Sequence, residues 1–479
     1  MRKLWQVVFL ISLISTITSG TNPGMKGLVT QRAIDYAIQV GKDIAQRELQ
    51  SLDIPDVSGS ASIDPIGNVY YELQGMRITS FSLSDPVVLF DEGVGMQIGI
   101  DVLDIETSGY WHVKYLFISD SGSFDLMAKN IVLSVVVQIG MDSTGRLSLA
   151  CVSCDSSVGD LGITFHGGAS WLYNLFSGTI DQRIREELDR KLCPTVNEKI
   201  NDFESQLQRM KVTFQLDPAV VLEFPLINPP LIQNTSLELD IKGEWYSTAH
   251  HQEPPFTPCP FKLPVENNFM LYFGLSAFSV NSAAFAYFSA GVLKFYVTDE
   301  MVPKSSPIRL TTNSFGMFIP ELPKRYPNMS MQILLLAREP PLTKVQADNI
   351  TESVFGIAKM FVVLPNKTLA PAFALEINSS FKIDLSVSGQ KLCGSIQLTS
   401  FNLSLSSSEI GPFQTTSMEK IFRLGLQIAV LPKVNEKLKS GFPIPEFKGI
   451  ALVNPLLRVN QGFLMFATDV KYQSQSAGE

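Results

Sequence analysis

The stretch YSTAHHQEPPFTPCPFKLPVENN, residues Tyr246 to Asn268, divides the chain near its middle. It holds five prolines and no apolar periodicity. This composition predicts an extended, semi-rigid connector, because proline fixes its own backbone and interrupts helices and strands. A chain of 479 residues is longer than one ordinary core needs, since domains usually span about 100 to 200 residues. We therefore expect one folded unit on each side of the connector.

The apolar pattern before the connector predicts a helix, several strands and a second long helix. Apolar residues recur at three- and four-residue spacing from Val29 to Ile44, and they alternate with polar residues from Met96 to Val102. Glycines interrupt this and later alternating segments, which indicates a strongly bent antiparallel sheet. The second helix is predicted from apolar residues between Leu172 and Leu207, with Pro194 ending or kinking its first part.

The pattern after the connector repeats this order. An apolar stretch spans Leu275 to Ala290, and alternating segments follow at Phe373–Val387 and Ser395–Leu405. A helical pattern with Pro432 inside it then runs from Ile421 to Leu438. The recurrence of helix, strands and helix predicts a duplicated α+β unit.

The N-terminus has the features of a secretory signal. Arg2 and Lys3 precede an apolar run from Leu4 to Ile17, and small residues suited to cleavage end at Gly20. The run is shorter than the roughly 20 residues of a membrane span, which argues against an anchor. We expect residues 1–20 to be removed and the mature protein to be secreted and extracellular.

Secretion would make each N-x-S/T triplet a candidate glycan acceptor, and such an asparagine must lie on the surface. None occurs before residue 234, so the pattern predicts a glycosylated C-terminal half. The candidates are Asn234, Asn328, Asn349, Asn366, Asn378 and Asn402.

Five cysteines are too few for a disulfide scaffold, and their odd number leaves at least one thiol unpaired or paired with another chain. Cys151 and Cys154 form a C-x-x-C. No second such set completes a zinc site, and residues three apart on a regular strand face opposite ways. We therefore expect packing, with no metal, to hold the fold.

The charge is uneven along an acidic chain of net charge −8. Residues 21–220 carry 15 Lys/Arg and 26 Asp/Glu, whereas residues 221–479 carry 21 and 20. Nucleic-acid binding is therefore not expected, because phosphate contacts need clustered cations.

No arrangement of chemically reactive residues emerges from the sequence. Its four histidines form no spaced metal set, and no nucleophile elbow, P-loop or dinucleotide fingerprint is present, so we expect no enzyme. What stands out is apolar content of 45% with 31 phenylalanines. Either two ordinary cores use it, or each helix–sheet pair leaves a slot for acyl chains, since apolar burial contributes about 0.8 kcal/mol per methylene.

Several stretches resemble the family of bactericidal permeability-increasing and lipopolysaccharide-binding proteins, and the likeness covers essentially the whole mature chain. They are NPGMKGLVTQRAIDYA from Asn22, SGSFDL from Ser121, WLYNLF from Trp171, IRLTTNSFGMFIPELPKRYPNM from Ile308, PKVNEKLKSGFPIP from Pro432, and the connector itself. The resemblance implies an α+β, elongated boomerang of two barrel-plus-long-helix domains joined by a central antiparallel sheet. The domains would span residues 21–245 and 269–479, with residues 246–268 as linker.

The resemblance also implies a lipid pocket in each domain and a disulfide between Cys154 and Cys193, leaving Cys151, Cys259 and Cys393. No cofactor is implied apart from bound phospholipid. Candidate pocket residues are Ile34, Ile38, Leu172, Leu175, Phe176, Phe278 and Phe285.

The family's best-known members meet the phosphates of lipid A with basic residues at the tip of the N-terminal domain. The matching stretch here, GYWHVKYLFISDSGSFDL from Gly109 to Leu126, keeps one lysine and is expected to turn at its Ser-Gly-Ser. The tip candidates are Tyr110, Trp111, His112 and Lys114, and Ser62, Asp64 and Asn68 replace a second basic cluster.

Two functions therefore remain open for the sequence. One is a secreted innate-immunity protein that binds lipopolysaccharide and phospholipid, acting against Gram-negative bacteria at an outer membrane or vesicle surface. The other is a phospholipid carrier or transfer protein without lipopolysaccharide recognition.

Overall fold

The computed structural model describes residues 22–49, 53–54, 56–63, 67–168, 170, 177–264, 266, 268–302, 308–443 and 450–473. Its α-helices are α1 (Gln31–Leu49), α2 (Ser177–Gln208), α3 (Ala277–Ser289), α4 (Thr312–Phe315), α5 (Glu321–Arg325), α6 (Thr416–Gly425) and α7 (Leu431–Ser440). A 3-10 turn spans Asp299–Met301 and a π-helical turn spans Leu426–Val430. The three predicted helical patterns, which end at Ile44, Leu207 and Leu438, are helical over most of their described residues, although Val29 lies in a strand and α2 continues through Pro194. The apolar stretch from Leu275 to Ala290 contains α3.

A central six-stranded antiparallel sheet takes three strands from each half of the chain. In spatial order it consists of β11 (Leu231–Gln233), β12 (Ser236–Ile241), β1 (Met25–Thr30), β14 (Leu271–Ser276), β23 (Phe463–Tyr472) and β22 (Ile450–Asn460). The halves meet where β1 pairs with β14, from Met25 opposite Leu275 to Val29 opposite Leu271. Helix α1 directly follows β1 and helix α3 directly follows β14, so the halves repeat the same arrangement about this seam.

The N-terminal half forms a long, bent antiparallel sheet. Its strands are β2 (Asp53–Ile54), β3 (Val57–Ile63), β4 (Gly67–Leu83), β5 (Val87–Asp91), β6 (Gly95–Tyr115), β7 (Ile118–Met141) and β8 (Leu147–His166). The main order is β2-β4-β6-β7-β8, with β3 on β4 and β5 on β6. Register shifts interrupt the β4–β6, β6–β7 and β7–β8 ladders, and such bulges increase bending and twist.

The C-terminal half repeats this sheet. Its strands are β15 (Lys294–Thr298), β16 (Met331–Ala337), β17 (Leu342–Gln346), β18 (Asn349–Val363), β19 (Leu369–Ser388), β20 (Lys391–Ser408) and β21 (Phe442–Pro443). The main order is β15-β16-β18-β19-β20-β21, and β17 also pairs with β18.

A separate three-stranded sheet consists of β9 (Thr213–Gln215), β10 (Val220–Glu223) and β13 (Glu244–Ser247). Tyr287 of α3 donates a hydrogen bond to Asp217 beside this sheet at 2.6 Å. Burial and this bond raise the pKa of Tyr287 to about 12.

The last long strand of each large sheet is covered by a helix that bonds to its backbone. In the N-terminal half the amide N–H groups of Ile163 and Leu149 on β8 donate to Asp181 and Glu204 of α2, at 2.9 and 2.6 Å. In the C-terminal half the N–H of Ile396 on β20 donates to Asn435 of α7 at 2.7 Å. An uncovered edge strand would expose unpaired backbone groups, so these helices complete the two sheets.

Both covering helices contain the same short sequence. PTVNEKI begins at Pro194 in α2 and PKVNEKL begins at Pro432 in α7. The duplication predicted from periodicity is therefore also present in the residue sequence itself.

Tyr246 and Ser247 of the proline-rich connector end strand β13, and its other described residues form no helix or strand, as expected. The connector also packs closely against the protein. Phe261 and Leu263 are buried on the central sheet with Leu28 and Tyr272. Gly274 permits this approach, because a Cβ there would lie 2.5 Å from the Phe261 ring. The connector is a strap bound across the seam, and the domain boundaries on either side of it stay a prediction.

Cys154 of β8 and Cys193 of α2 form the disulfide that the family resemblance implied, with Cα atoms 5.7 Å apart. The expectation that Cys151 faces away from Cys154 is wrong. A register shift places Val135 opposite Cys154 and Val137 opposite Cys151, so the extra residue returns both cysteines to one face. Cys151, Cys259 and Cys393 have free thiols.

We expect Cys154→Ser to destabilise the protein by about 3 kcal/mol, because the bridge closes a loop between residues 39 apart and restricts the unfolded chain. Cys151→Ser, on the same strand face, should change stability far less. Urea unfolding of both variants without reductant measures the difference. Equal midpoints would contradict this account.

Lys26 of β1 bridges Glu238 and Asp240 of β12, and the distance to the Asp240 carboxylate is 2.8 Å. Burial lowers the pKa of Lys26, but hydrogen bonds to Asp240 and Glu238 outweigh it and hold the pKa above its ordinary value.

Lys26→Met would leave two mostly covered carboxylates without their cation. We therefore expect the free energy of unfolding to fall by about 2 kcal/mol. Lys294→Met, at an exposed strand position, is the control. Indistinguishable thermal unfolding of the two variants would count against this role.

Candidate functional site

Helix α1 is packed against the N-terminal half at its first turn. The Gln31 side chain donates to the Val88 carbonyl at 2.7 Å, and Ala33 is buried. Ile34 packs against an apolar cluster at the junction with the central sheet, which consists of Phe90, Ile139, Ile232 and Leu237. The start of the helix is therefore fixed.

One and two turns later the same helix face is open. Ala37 and Gly41 lie between the directions of Ala33 and Ile34 around the helix, yet both are exposed. No described atom lies within 4 Å of the position that a Gly41 side chain would take. Ile38 is half-buried, and Lys42 pairs with Asp85 at 2.6 Å. Among the described residues, this side of the helix is therefore left uncovered beyond its first turn.

The packed core of the N-terminal half is divided. Among its described residues the buried apolar side chains form clusters of nine, four and three, whereas one C-terminal cluster contains sixteen. Leu188 and Leu192 of α2 remain half-buried beside the smallest of the three clusters. The N-terminal half thus has apolar surface that its own side chains cover only in part.

The tip of this half is the hairpin between β6 and β7. The turn is formed by Leu116 and Phe117; the side chain of Phe117 is 97% exposed, and Leu116 has a positive φ of 49°. The predicted turn at Ser121-Gly122-Ser123 is wrong, because these residues lie within β7. Gly122 allows the Trp111 ring to pack closely against this strand, since a Cβ would lie 2.7 Å from Nε1 of Trp111.

Strand alternation places the four predicted tip residues on opposite faces of β6. Tyr110, His112 and Lys114 are exposed on the outer face, and Tyr70 of β4 lies opposite Lys114 and is also exposed. Trp111 points inward, is 1% exposed and packs edge-on against Phe165 with ring centroids 5.9 Å apart. Trp111 is therefore a core residue and offers no tip surface.

The sequence-based reasoning missed Tyr70 and Phe117. Two adjacent apolar residues between alternating segments could have indicated an exposed turn.

The remaining pocket candidates fall in different places. Leu172, Leu175 and Phe176 lie outside the described residues. Phe278 and Phe285 of α3 are buried, and each ring packs edge-on against Phe256 of the strap. The two rings therefore pack on the strap, and their assignment to a lipid pocket stays a prediction.

The six glycan candidates differ in accessibility. Asn234, Asn328 and Asn366 are exposed at turns. Asn349 is half-buried. Asn378 and Asn402 lie directly opposite each other on β19 and β20; Asn402 is exposed, whereas Oδ1 of Asn378 is buried without a partner among the described residues.

Charged groups inside the protein have structural partners. Burial raises the pKa of Glu352 on β18, and a hydrogen bond from the Thr343 hydroxyl partly offsets this. Burial also raises the pKa of Asp181, which accepts a hydrogen bond from the Ile163 N–H.

Within the described ranges no three His, Cys, Asp or Glu residues lie close enough together to bind a metal ion. No helix in that part of the chain has the length and hydrophobicity to cross a membrane.

Two family models match nearly the whole chain. The N-terminal domain model of the LBP / BPI / CETP family matches residues 33–208, and the C-terminal domain model of that family matches residues 214–472. The second match begins at the three-stranded sheet, ahead of the strap.

Individual relatives agree with these matches. The chain is 37% identical to a bactericidal permeability-increasing protein of Sebastes schlegelii, covering 97% of this chain and 98% of the relative. It is 30% identical to the lipopolysaccharide-binding protein of Homo sapiens, with 98% of both chains covered. A crystal structure of lipopolysaccharide binding protein superposes with a TM-score of 0.59 at 29% identity, covering 94% of this chain and 99% of that one. The chain belongs to the LBP / BPI / CETP family of lipid- and lipopolysaccharide-binding proteins.

Proposed function

We propose that this protein is a secreted lipid-binding protein of innate immunity that takes up the acyl chains of bacterial lipopolysaccharide and of phospholipids. Its relatives bear the names of lipopolysaccharide-binding and bactericidal proteins. The signal-like N-terminus and the N-x-S/T triplets support secretion and glycosylation.

The observation that carries the proposal is the uncovered side of α1 beyond its first turn. Ala37 and Gly41 lie on the side of the buried Ala33 but are exposed, and no described atom lies near a Gly41 side-chain position. Helices of water-soluble proteins normally bury such a face, so apolar space left there suits a ligand. Each methylene placed in it contributes about 0.8 kcal/mol, so a two-chain lipid can be held without a specific polar contact.

The tip favours contact with apolar or interfacial groups over phosphates. Phe117, Leu116 and Tyr110 present aromatic and aliphatic surface, and Lys114 is the cation beside them. A charge-assisted hydrogen bond to a phosphate contributes about 1.5 to 3 kcal/mol, so one cation supplies a small part of what a basic tip would. This observation supports the alternative of a phospholipid carrier or transfer protein that does not select lipopolysaccharide.

We expect the double variant Ala37→Phe/Gly41→Leu to co-purify with severalfold less lipid, because its new side chains occupy the space beside α1. Stability should be unchanged or higher, since leucine favours a helix over glycine by about 1 kcal/mol. Mass spectrometry of extracted lipid and thermal unfolding measure the two effects. Gln39→Leu, on the outer face of α1, is the control. Unchanged lipid content in the double variant would reject the proposed slot.

We expect Phe117→Ser to weaken binding to phosphatidylcholine vesicles and to lipopolysaccharide by roughly 10- to 100-fold, the loss expected when a buried phenylalanine is removed. Added salt should change the wild-type affinity for phosphatidylcholine vesicles little, because one lysine serves the tip. Phe203→Ser, at an exposed phenylalanine of α2, is the control. Stronger wild-type binding to lipopolysaccharide than to phosphatidylcholine at every salt concentration supports lipopolysaccharide recognition, and equal binding supports the carrier.

We expect Asn402 to carry a glycan and Asn378 to carry none. Residues directly opposite on antiparallel strands have Cβ atoms about 5 Å apart, which leaves no room for two glycans, and the Asn378 amide is the covered one. Asn402→Gln should remove one glycan mass from protein secreted by a eukaryotic host, whereas Asn378→Gln should remove none. Loss of a glycan in the second variant would refute this assignment.

A further inference from the structure

Helix α6, the π-helical turn and helix α7 form one continuous covering segment on β20, and its outer side is apolar at the centre. Ile428 is 58% exposed, and Leu424 and Val430 are each 47% exposed. We call the exposed side of residues 416–440 the outer face of this segment. Leu424 and Ile428 are one turn apart and share one side of the helix, whereas Val430, two residues beyond Ile428, does not. Two large apolar side chains exposed together are unusual for a face that meets only water.

Cations flank this apolar centre on both sides along the helix. All are exposed, and none has an ion-pair partner among the described residues: Lys420, Arg423, Lys433, Lys437 and Lys439. Of the two anions in the segment, Glu419 accepts from the Leu403 N–H of β20 at 3.1 Å. Only Glu436 is left as an exposed anion on this face.

The repeated helix of the N-terminal half shows that covering a strand does not require this pattern. Between Ser177 and Gln208, α2 has five Lys/Arg and seven Asp/Glu, whereas residues 416–440 have five and two. Lys199 of α2 occupies the repeat position of Lys437 and pairs with Asp202 at 3.4 Å. The two repeated covering helices therefore differ in the balance of their charged residues.

The outer face is held in place from behind. Asn435 accepts from the N–H of Ile396 and donates to its carbonyl at 3.0 Å, and Met418 and Leu431 are buried. Pro432 has no N–H to offer the carbonyl of Ile428, and the π-helical turn lies at this point. The exposed apolar residues cannot turn inward without breaking these contacts.

We propose that the outer face of residues 416–440 is a docking surface for an anionic lipid bilayer. Leu424 and Ile428 enter the boundary between headgroups and acyl chains, and the flanking lysines and arginine meet anionic headgroups. This is how amphipathic helices lie in a membrane interface. Charge complementarity favours this occupant, because five unpaired cations face outward beside one anion.

A protein partner fits less well. Stable protein interfaces bury about 800 Å² on each partner and have few charges at their centre. Two apolar side chains with lysines on both sides expose too little apolar area for that. A lipid surface supplies both an apolar interior and mobile anions, so no fixed complementary shape is required.

The test uses full-length protein and vesicles of phosphatidylglycerol mixed with phosphatidylcholine, compared with pure phosphatidylcholine. Lys420→Gln/Arg423→Gln/Lys433→Gln should bind the anionic vesicles about 100-fold more weakly at low salt, because each cation near such a surface contributes about a fivefold factor. Binding of the wild type should fall as salt rises. Lys199→Gln, the repeat counterpart of Lys437, is the matched control and should bind like the wild type.

A second variant and a second readout complete the test. Leu424→Ser/Ile428→Ser should weaken the binding that persists at high salt, and hydrogen exchange at residues 416–440 should slow when anionic vesicles are added. The proposal is overturned if the triple variant binds like the wild type, if both vesicle types bind equally, or if the exchange is unchanged. Lipid co-purifying with each variant should equal that of the wild type. These measurements can therefore reject surface docking without rejecting lipid uptake, and the reverse.

Discussion

The antiparallel pairing of β1 with β14 is the interaction on which the rest of the structure depends. It is the only strand pairing, among the described residues, in which a strand that precedes the strap meets one that follows it. Leu28 lies opposite Tyr272 at its centre, and both are covered by Phe261 and Leu263 of the strap. Each strand leads directly into a helix, so the seam also sets where α1 and α3 begin. A seam of five residue pairs can join two large sheets because the strap excludes water from it.

The two halves repeat one plan but use it differently. In both, a helix with the sequence P-x-V-N-E-K completes the edge of the last long strand through side chains that bond to backbone groups. Among the described residues the C-terminal half has one cluster of sixteen buried apolar residues, whereas those of the N-terminal half form three smaller clusters. The helices after the seam also differ, because α3 packs two phenylalanines on the strap, whereas α1 contacts it through a hydrogen bond from Arg32 to the Asn268 carbonyl. The repeated frame therefore carries different packing in the two halves.

Apolar and electrostatic contributions lie in different parts of the molecule. The acidic N-terminal half has an apolar tip and an uncovered side of α1, where affinity for a lipid would scale with the number of methylenes covered. The covering helix of the C-terminal half has five exposed cations without an ion-pair partner among the described residues, and their attraction is screened over about 8 Å at physiological salt. The proposed lipid slot and the proposed docking surface therefore use different residues.

The sequence by itself determined the α+β class and the repeated order of helix, strands and helix, because these follow from the local spacing of apolar residues. The family resemblance supplied the Cys154–Cys193 bridge. Tertiary structure alone decided that the hairpin turns at Leu116, that Trp111 is buried while Tyr110 is exposed, that a bulge brings Cys151 to the face of Cys154, and that Phe278 and Phe285 meet the strap. It also decided that α3 packs on the strap while Ala37 and Gly41 of α1 stay exposed. Spacing fixes which side of an element is apolar, but what covers that side depends on strands and loops far away in the chain.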